Sequence, residues 1–441
     1  MPKQDYFAPE IETISSDALA ALQLDKLQKQ FAYLAEKSHF HQQRFKSAGL
    51  EPGDIKSLSD IHGLPFTEKS DLRESQAVSP PLGLHTAADM SNVVRIHASS
   101  GTTGTPSYVG LTAYDKQYWT ACISRSYWAQ GLRPADVFAM GLSIGFFVGG
   151  LPVANAVEEI GATLLPIGVG ASDRLISSIE KMGATVLATT PSYANYLAEI
   201  AREKMNVDPS KLGIKRVMVG AEPGGGIPAV RAQIEENWNA ICTESIGNAD
   251  LITIHSAECD AQDGCHFMVP DYLLMEIIDP DTGVPMSLDA AELEGEIVFT
   301  HLDRQCNPVV RFRTRDRVVV NTTPCTCGRT GPRLRCIGRS DDLLIVRGVN
   351  VWPSAIRDVI LGFKPAVSGE LRIVLDRPGP MAYPPVHIQV ETTDGAPPGD
   401  LAERIEAELR AKLIFTSRVE LVPPRSLART EMKAALIEHR Y

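Results

Sequence analysis

The 441-residue chain lacks any run of about 18 or more apolar residues, and its opening, MPKQDYFAPEIETISSD, has no apolar stretch behind a positive end. A membrane-spanning helix and a secretory leader are therefore not expected, and the chain reads as cytoplasmic. Positive charge is also short: 43 Lys and Arg stand against 54 Asp and Glu, a formal net charge of −11. That balance gives no basic footprint for nucleic acid or anionic lipid, so an anion must be met by a local site. Cysteine is sparse, eight in all, too few for a disulfide framework in so long a chain, which leaves thiols or metal ligands. Internal repeats and low-complexity tracts are missing as well.

What is present is ordinary for a folded enzyme, 44% apolar and 22% charged residues, over a length that exceeds what one core usually supports. LAALQLDKLQKQFAYLAEKSHFHQQRF predicts one long amphipathic helix. NVVRIHA, ATVLATT, KRVMVGAE and GEIVFTHL predict buried strands, with helical stretches such as SYANYLAEIAREK and IPAVRAQIEENW after some of them. Strand, loop and helix in alternation predict an α/β fold with a largely parallel sheet, whose ligands gather beyond the strand carboxyl ends. The end of the chain changes style. LRIVLD, VHIQVET and RVELV predict short strands around one helix, GDLAERIEAELRAKL, with Leu401, Ile405, Leu409 and Leu413 on one face. We therefore expect a large domain over 1–338 and a small α+β domain over 339–441.

HASSGTTGTPSYVGLT, residues 97 to 112, is too poor in apolar side chains to build a core, and its glycines cost the most entropy to order. Following a strand, its hydroxyls and backbone N–H groups suit a nest for phosphate oxygens. It is not a Walker A loop, because Thr105 and Pro106 stand where that motif needs Lys and Ser or Thr.

SSGTTGTPS resembles the phosphate loop of adenylate-forming enzymes. GEIVFTHL, VVRFRTRD, IGRSDDLLIVRGVNVWPSAI and SLARTEMKAALIEHR resemble, more narrowly, the phenylacetate-CoA ligase branch, in the right order from about residue 20 to the end. The resemblance implies two-step chemistry. A carboxylate attacks the α-phosphate of ATP to give an acyl adenylate and pyrophosphate, and the thiol of CoA then displaces AMP. It implies that Ser99, Ser100, Gly101, Thr102, Thr103 and Gly104 cradle phosphates, and that Gly220, Ala221, Glu222 and Pro223 line the adenine. Asp316 would bind the ribose hydroxyls and Arg339 would help hold the nucleotide. Lys433 would swing to the α-phosphate as a mobile cation, Asp341 would be the hinge of a mobile small domain, and Gly348 would leave room for the thiol arm of CoA. A homodimer is a further implication.

One motif departs from the branch: where Tyr-Gly-x-Ser/Thr-Glu is common, this chain has Ile246, Gly247, Asn248, Ala249 and Asp250. Ile246 covers a base without stacking, and Asp250 keeps an oxygen ligand for Mg²⁺, one methylene shorter. Cys259, His266, Cys325 and Cys327 match elements that imply a structural Zn²⁺ in some members; Cys265 competes as a ligand, and buried thiols are the plain alternative. Cys122, Cys242, Cys306 and Cys336 are expected as core thiols. SIGFFVGGLP aligns with the segment lining the acyl pocket, so Phe146, Phe147, Tyr193 and Gly247 are expected around an aromatic acid. Small branched hydroxy acids, transfer to a separate carrier protein, and a catalytically silent nucleotide-binding protein stay open.

Overall fold

The computed structural model describes residues 5–99, 107–340, 342–347, 349–377, 381–395, 397–428 and 436–441. The predicted long N-terminal helix is two helices, Ser16–Lys37 and His39–Ala48. Ser38 takes an extended conformation between them, its hydroxyl 3.4 Å from the Leu84 carbonyl, which breaks the helix there. Leu27, Phe31, Leu34 and Phe45 bury that face in a core of their own.

Strands β1 (Val93–Ala98) and β2 (Tyr108–Thr112) form an antiparallel pair, His97 opposite Val109, and rise on either side of the Gly/Ser/Thr loop. Thr112 then caps the helix Ala113–Ala129, whose Trp119 is buried in the largest core. β3 (Val137–Met140), β4 (Thr163–Leu165), β5 (Val186–Thr189), β6 (Arg216–Val219) and β7 (Ile241–Asn248) lie parallel, joined through crossover helices. Seven more strands follow: β8 (Ile252–Ala257), β9 (Cys265–Phe267), β10 (Leu273–Ile278), β11 (Pro285–Met286), β12 (Glu292–His301), β13 (Phe312–Asn321) and β14 (Arg333–Arg339). Together they make a twelve-stranded sheet in the order β11-β10-β12-β13-β14-β9-β8-β7-β6-β5-β3-β4. The expected parallel sheet is thus only one half of the fold: from β7 to β11 every neighbouring pair is antiparallel. Short turns, not crossover helices, join most of these strands, and such turns permit only antiparallel pairing.

The chain closes with a four-stranded sheet, after a hairpin of β15 (Leu344–Val346) and β16 (Val349–Val351) and the helix Pro353–Leu361. β17 (Val367–Leu375), β18 (Val386–Thr392), β19 (Ser417–Val422) and β20 (Ile437–His439) pair in the order β19-β18-β17-β20. Val386, Ile388 and Val390 point into a separate core with Ile405 and Leu409, while His387 and Gln389 face outward, as alternation predicts. Leu361 leaves this unit and packs with Leu197 and Trp238 in the core of the large sheet. No helix among the described residues is long and apolar enough to cross a membrane.

Candidate active site

The loop of residues 100–106 lies outside the described residues, and so do Ser100, Gly101, Thr102, Thr103 and Gly104; its rim is described. Ser99 and Ser107 clamp the two ends: Ser99 N–H donates to the Ser107 carbonyl at 2.8 Å, and Ser107 N–H donates to Ser99 Oγ at 3.0 Å. Beneath them sits Asp250, 4% exposed. Its Oδ1 accepts from Ser107 Oγ at 3.0 Å, and its Oδ2 meets Lys69 Nζ at 2.6 Å. Because the Ser107 hydroxyl donates to the carboxylate, the Ser99 hydroxyl must donate to Ser107 Oγ, 3.0 Å away. Lys69 starts the helix Lys69–Val78, 181 residues before Asp250; sequence reasoning missed it, since a lone Lys in PFTEKSDLR carries no signal of its own.

The expected acid-pocket segment runs beside β1. Ala98 N–H donates to the Phe146 carbonyl at 3.0 Å, Ala98 bridges to Phe147, and the Phe146 ring leans on Tyr108 at 5.9 Å between centroids. Phe146 is 51% exposed and Phe147 half-buried. Tyr193 corrects the expectation. It is fully buried in the helix–sheet core, its hydroxyl 3.1 Å from Ser172 Oγ, because the helix Pro191–Glu203 turns that face onto the sheet.

After β6, the segment Gly220–Pro223 takes a sharp turn in which Ala221 has φ +72°. A Cβ on Gly220 would come within 2.9 Å of the Ser245 carbonyl oxygen. Glu222 is buried and caps the helix Pro191–Glu203, accepting from Ser192 N–H at 2.8 Å. On the neighbouring β7, Ile246 packs on the main core and Gly247 sits at a bulge, where a Cβ would collide with the Thr253 carbonyl at 1.7 Å. Two residues earlier, Glu244 accepts backbone N–H groups of Gly225 and Gly226, and burial, with Glu258 nearby, raises its carboxyl to about 7. Asp316 on β13 stands opposite Arg339 on β14 and accepts from its Nη1 at 3.1 Å, so the expected ribose acid and nucleotide arginine are held together. Asp341, Gly348 and Lys433 lie outside the described residues.

A second cluster lies where β8, β9 and the loop before β14 meet. Cys259 Sγ, His266 Nε2, Cys325 Sγ and Cys327 Sγ all fall within 4.8 Å of one another. Cys259 Sγ is 3.8 Å from Cys325 Sγ and 3.7 Å from His266 Nε2, and Cys327 Sγ is 3.3 Å from the same nitrogen. A tetrahedral zinc with ordinary bond lengths needs edges of about 3.8 Å between sulfurs and about 3.5 Å from sulfur to nitrogen. The donor set fits. His266 Nδ1 lies 3.0 Å from the Gly331 carbonyl, which fixes the tautomer that leaves Nε2 for a metal. Cys265, the competing ligand, points to the other face of β9 and donates to the Glu244 carbonyl. Cys122, Cys242 and Cys306 are buried, whereas Cys336 is only partly so.

Two family models match the chain: AMP-binding enzyme over residues 3–301, and AMP-binding enzyme C-terminal domain over residues 348–440. Among curated proteins, it is 34% identical over 444 residues to a phenylacetate-coenzyme A ligase of Thermus thermophilus, covering 96% of this chain and 97% of that one. Among solved structures, it matches 2-hydroxyisobutyryl-CoA ligase in two arrangements. The postadenylation state with 2-HIB-AMP gives a TM-score of 0.91 at 29% identity, covering 100% of this chain and 94% of that one. The thioesterification state with 2-HIB-AMP and CoA gives 0.74 at 30% identity, covering 100% and 93%.

Proposed function

The chain belongs to the AMP-binding enzyme family and is an AMP-forming acid-CoA ligase, and from that premise we propose an aryl or arylacetic acid as its substrate. The observation that carries this is the pair Phe146 and Phe147, held against the strand that leads into the phosphate loop, with one ring half exposed. An aromatic acid laid on them would bring its carboxylate toward the ATP phosphates. The near-full-length likeness to a phenylacetate-coenzyme A ligase supports the same reading.

In this reading the carboxylate oxygen attacks the α-phosphorus and pyrophosphate leaves; the CoA sulfur then attacks the acyl carbon and AMP leaves. The loop 99–104 holds the phosphates, Asp316 and Arg339 face the ribose, and Gly220–Pro223, Ile246 and Gly247 frame the base. Lys433 supplies charge at the α-phosphate, Asp341 is the pivot, and Gly348 lines the thiol path. Cys259, His266, Cys325 and Cys327 would hold a structural Zn²⁺, and four protein ligands would leave it no open position for catalysis. Asp250 does not fit a resident magnesium ligand as it stands, since an ammonium 2.6 Å away already neutralises it. Mg²⁺ belongs instead with the incoming ATP.

The test is pyrophosphate release with ATP and Mg²⁺ across phenylacetate, benzoate, indole-acetate and 2-hydroxyisobutyrate, with and without CoA, for the native chain and Lys433→Ala. An aryl or arylacetate hit that falls by about a hundredfold or more in the variant is expected. A hit with 2-hydroxyisobutyrate alone would replace the aromatic reading, and thioester formation only on a carrier protein would replace CoA.

A further inference from the structure

His97 lies outside every role assigned so far, yet it touches two of the parts that must act together. It is the penultimate residue of β1, two residues before Ser99, and only 1% exposed. Its Nδ1 lies 3.2 Å from the Phe146 carbonyl, the same oxygen that accepts from Ala98 N–H. A carbonyl only accepts, so Nδ1 carries the proton. Nε2 has no hydrogen-bond partner among the described residues, so the polar contacts of this buried ring run to the strap backbone, Phe146 foremost and Phe147 more weakly. Burying an imidazole for so few bonds is unfavourable unless they matter to the structure around it.

Among the described residues, the strap it grips is tied by few polar bonds. Residues 145–149 form neither helix nor strand, glycines stand at both ends, and a Cβ on Gly149 would meet nothing within 4 Å. Beyond the two donors on Phe146 and the bridge between Ala98 and Phe147, its polar ties among the described residues include Thr253 Oγ1 donating to the Val148 carbonyl at 2.9 Å and a long 3.4 Å turn bond from Gly150 N–H to Phe147. Fixing such a segment costs about 1–2 kcal/mol per residue in backbone entropy, so a side-chain anchor has leverage on it.

We infer that His97 is a positioning residue for the acid: its Nδ1–H pins the Phe146 carbonyl and so sets the strap, Phe146 and Phe147 included, against the strand that delivers the phosphate loop. This rests on the reading of the strap as the edge of the acid pocket. Burial holds the imidazole below its ordinary value and keeps it neutral, the form this bond uses at pH 7.

Two substitutions separate the bond from mere packing. The amide nitrogen of His97→Asn falls where Nδ1 was, while that of His97→Gln falls where Nε2 was, out of reach of Phe146. Amide hydrogen exchange of the full chain is expected to rise in peptides covering 144–150 for His97→Gln and to stay near native for His97→Asn. With whichever of phenylacetate, benzoate and 2-hydroxyisobutyrate the native chain activates, His97→Gln is expected to raise the acid KM about three- to tenfold, the worth of one hydrogen bond, with the ATP KM unchanged. Unchanged exchange in His97→Gln, equal disturbance in both variants, or acid and ATP KM rising together would overturn the inference. A native chain inert toward all three acids would sink the acid-pocket reading instead, and the exchange result would then decide on His97 alone.

Discussion

At the scale of single residues, the site is held by buried polar groups whose charge state the fold sets. Glu244 is the clearest. Burial and the nearby Glu258 raise its carboxyl from 4.5 to about 7, while Gly225 and Gly226 donate to it. The folded state therefore holds a proton that the unfolded chain has already released, and stability falls as pH rises from about 4.5 through about 7. Gln in its place keeps an acceptor for the glycine amides and has nothing to ionise. Glu244→Gln is expected to flatten the pH dependence of the unfolding free energy in urea over this window and to exceed native stability at pH 8, by on the order of 2–3 kcal/mol. A variant that loses stability most at pH 8 would show that the ionised carboxylate is favourable there. The pair Lys69 and Asp250 shows the limit of sequence at this scale. Asp250 stood in a recognisable motif, but its partner lies 181 residues away on another element, and nothing local to PFTEKSDLR marks that lysine.

At the scale of elements, what could be read depended on how local the determining contacts are. β17, β18, β19 and the helix Leu401–Leu413 were legible because apolar alternation and a four-residue repeat are properties of a few adjacent positions, whereas the three-residue β20 was not. The antiparallel half of the large sheet was not, because GEIVFTHL reads as a buried strand whichever way its neighbours run. The break at Ser38 escaped for the same reason: the apolar pattern continues across it, and the Leu84 carbonyl that receives its hydroxyl is remote. The Cys/His cluster combines both cases, since its residues are visible in sequence and their convergence is not. It also reaches further than its four ligands. The Cys327 carbonyl accepts from Tyr6 Oη at 3.1 Å, and Arg329, two residues on, forms a buried pair with Glu12 at 2.7 Å. Metal analysis of protein prepared without chelators is expected to give about one zinc per chain. Chelation should lower Tm by on the order of 5 °C or more and open both 322–332 and 6–14 to limited proteolysis. Protection of 6–14 after complete metal loss would show that the N-terminal segment is held independently.

At the scale of the whole molecule, the question is what keeps the small C-terminal unit where it sits. The two arrangements of 2-hydroxyisobutyryl-CoA ligase are one protein, and this chain is covered almost end to end by each, so the better fit to the postadenylation state reflects how the parts are placed. Among the described residues, several contacts join the units. Leu361 is 5% exposed inside the core that contains Leu197 and Trp238, Ser354 Oγ donates to the Ile337 carbonyl at 3.1 Å, and Arg425 pairs with Glu203 at 2.7 Å. The ion pair is well exposed and contributes little. Leu361 is the apolar contact among these, and truncating a buried leucine costs about 2–5 kcal/mol, part of which would fall on docking between units, each with its own core. Leu361→Ala should therefore bias the chain away from this arrangement. Acid-dependent pyrophosphate exchange is expected to drop about tenfold, in line with about 1.4 kcal/mol of lost docking, while thioester formation from a supplied acyl adenylate and CoA changes less than about twofold. Equal loss in both half-reactions would mark general damage. No loss in either would mean that Leu361 does not set the domain equilibrium.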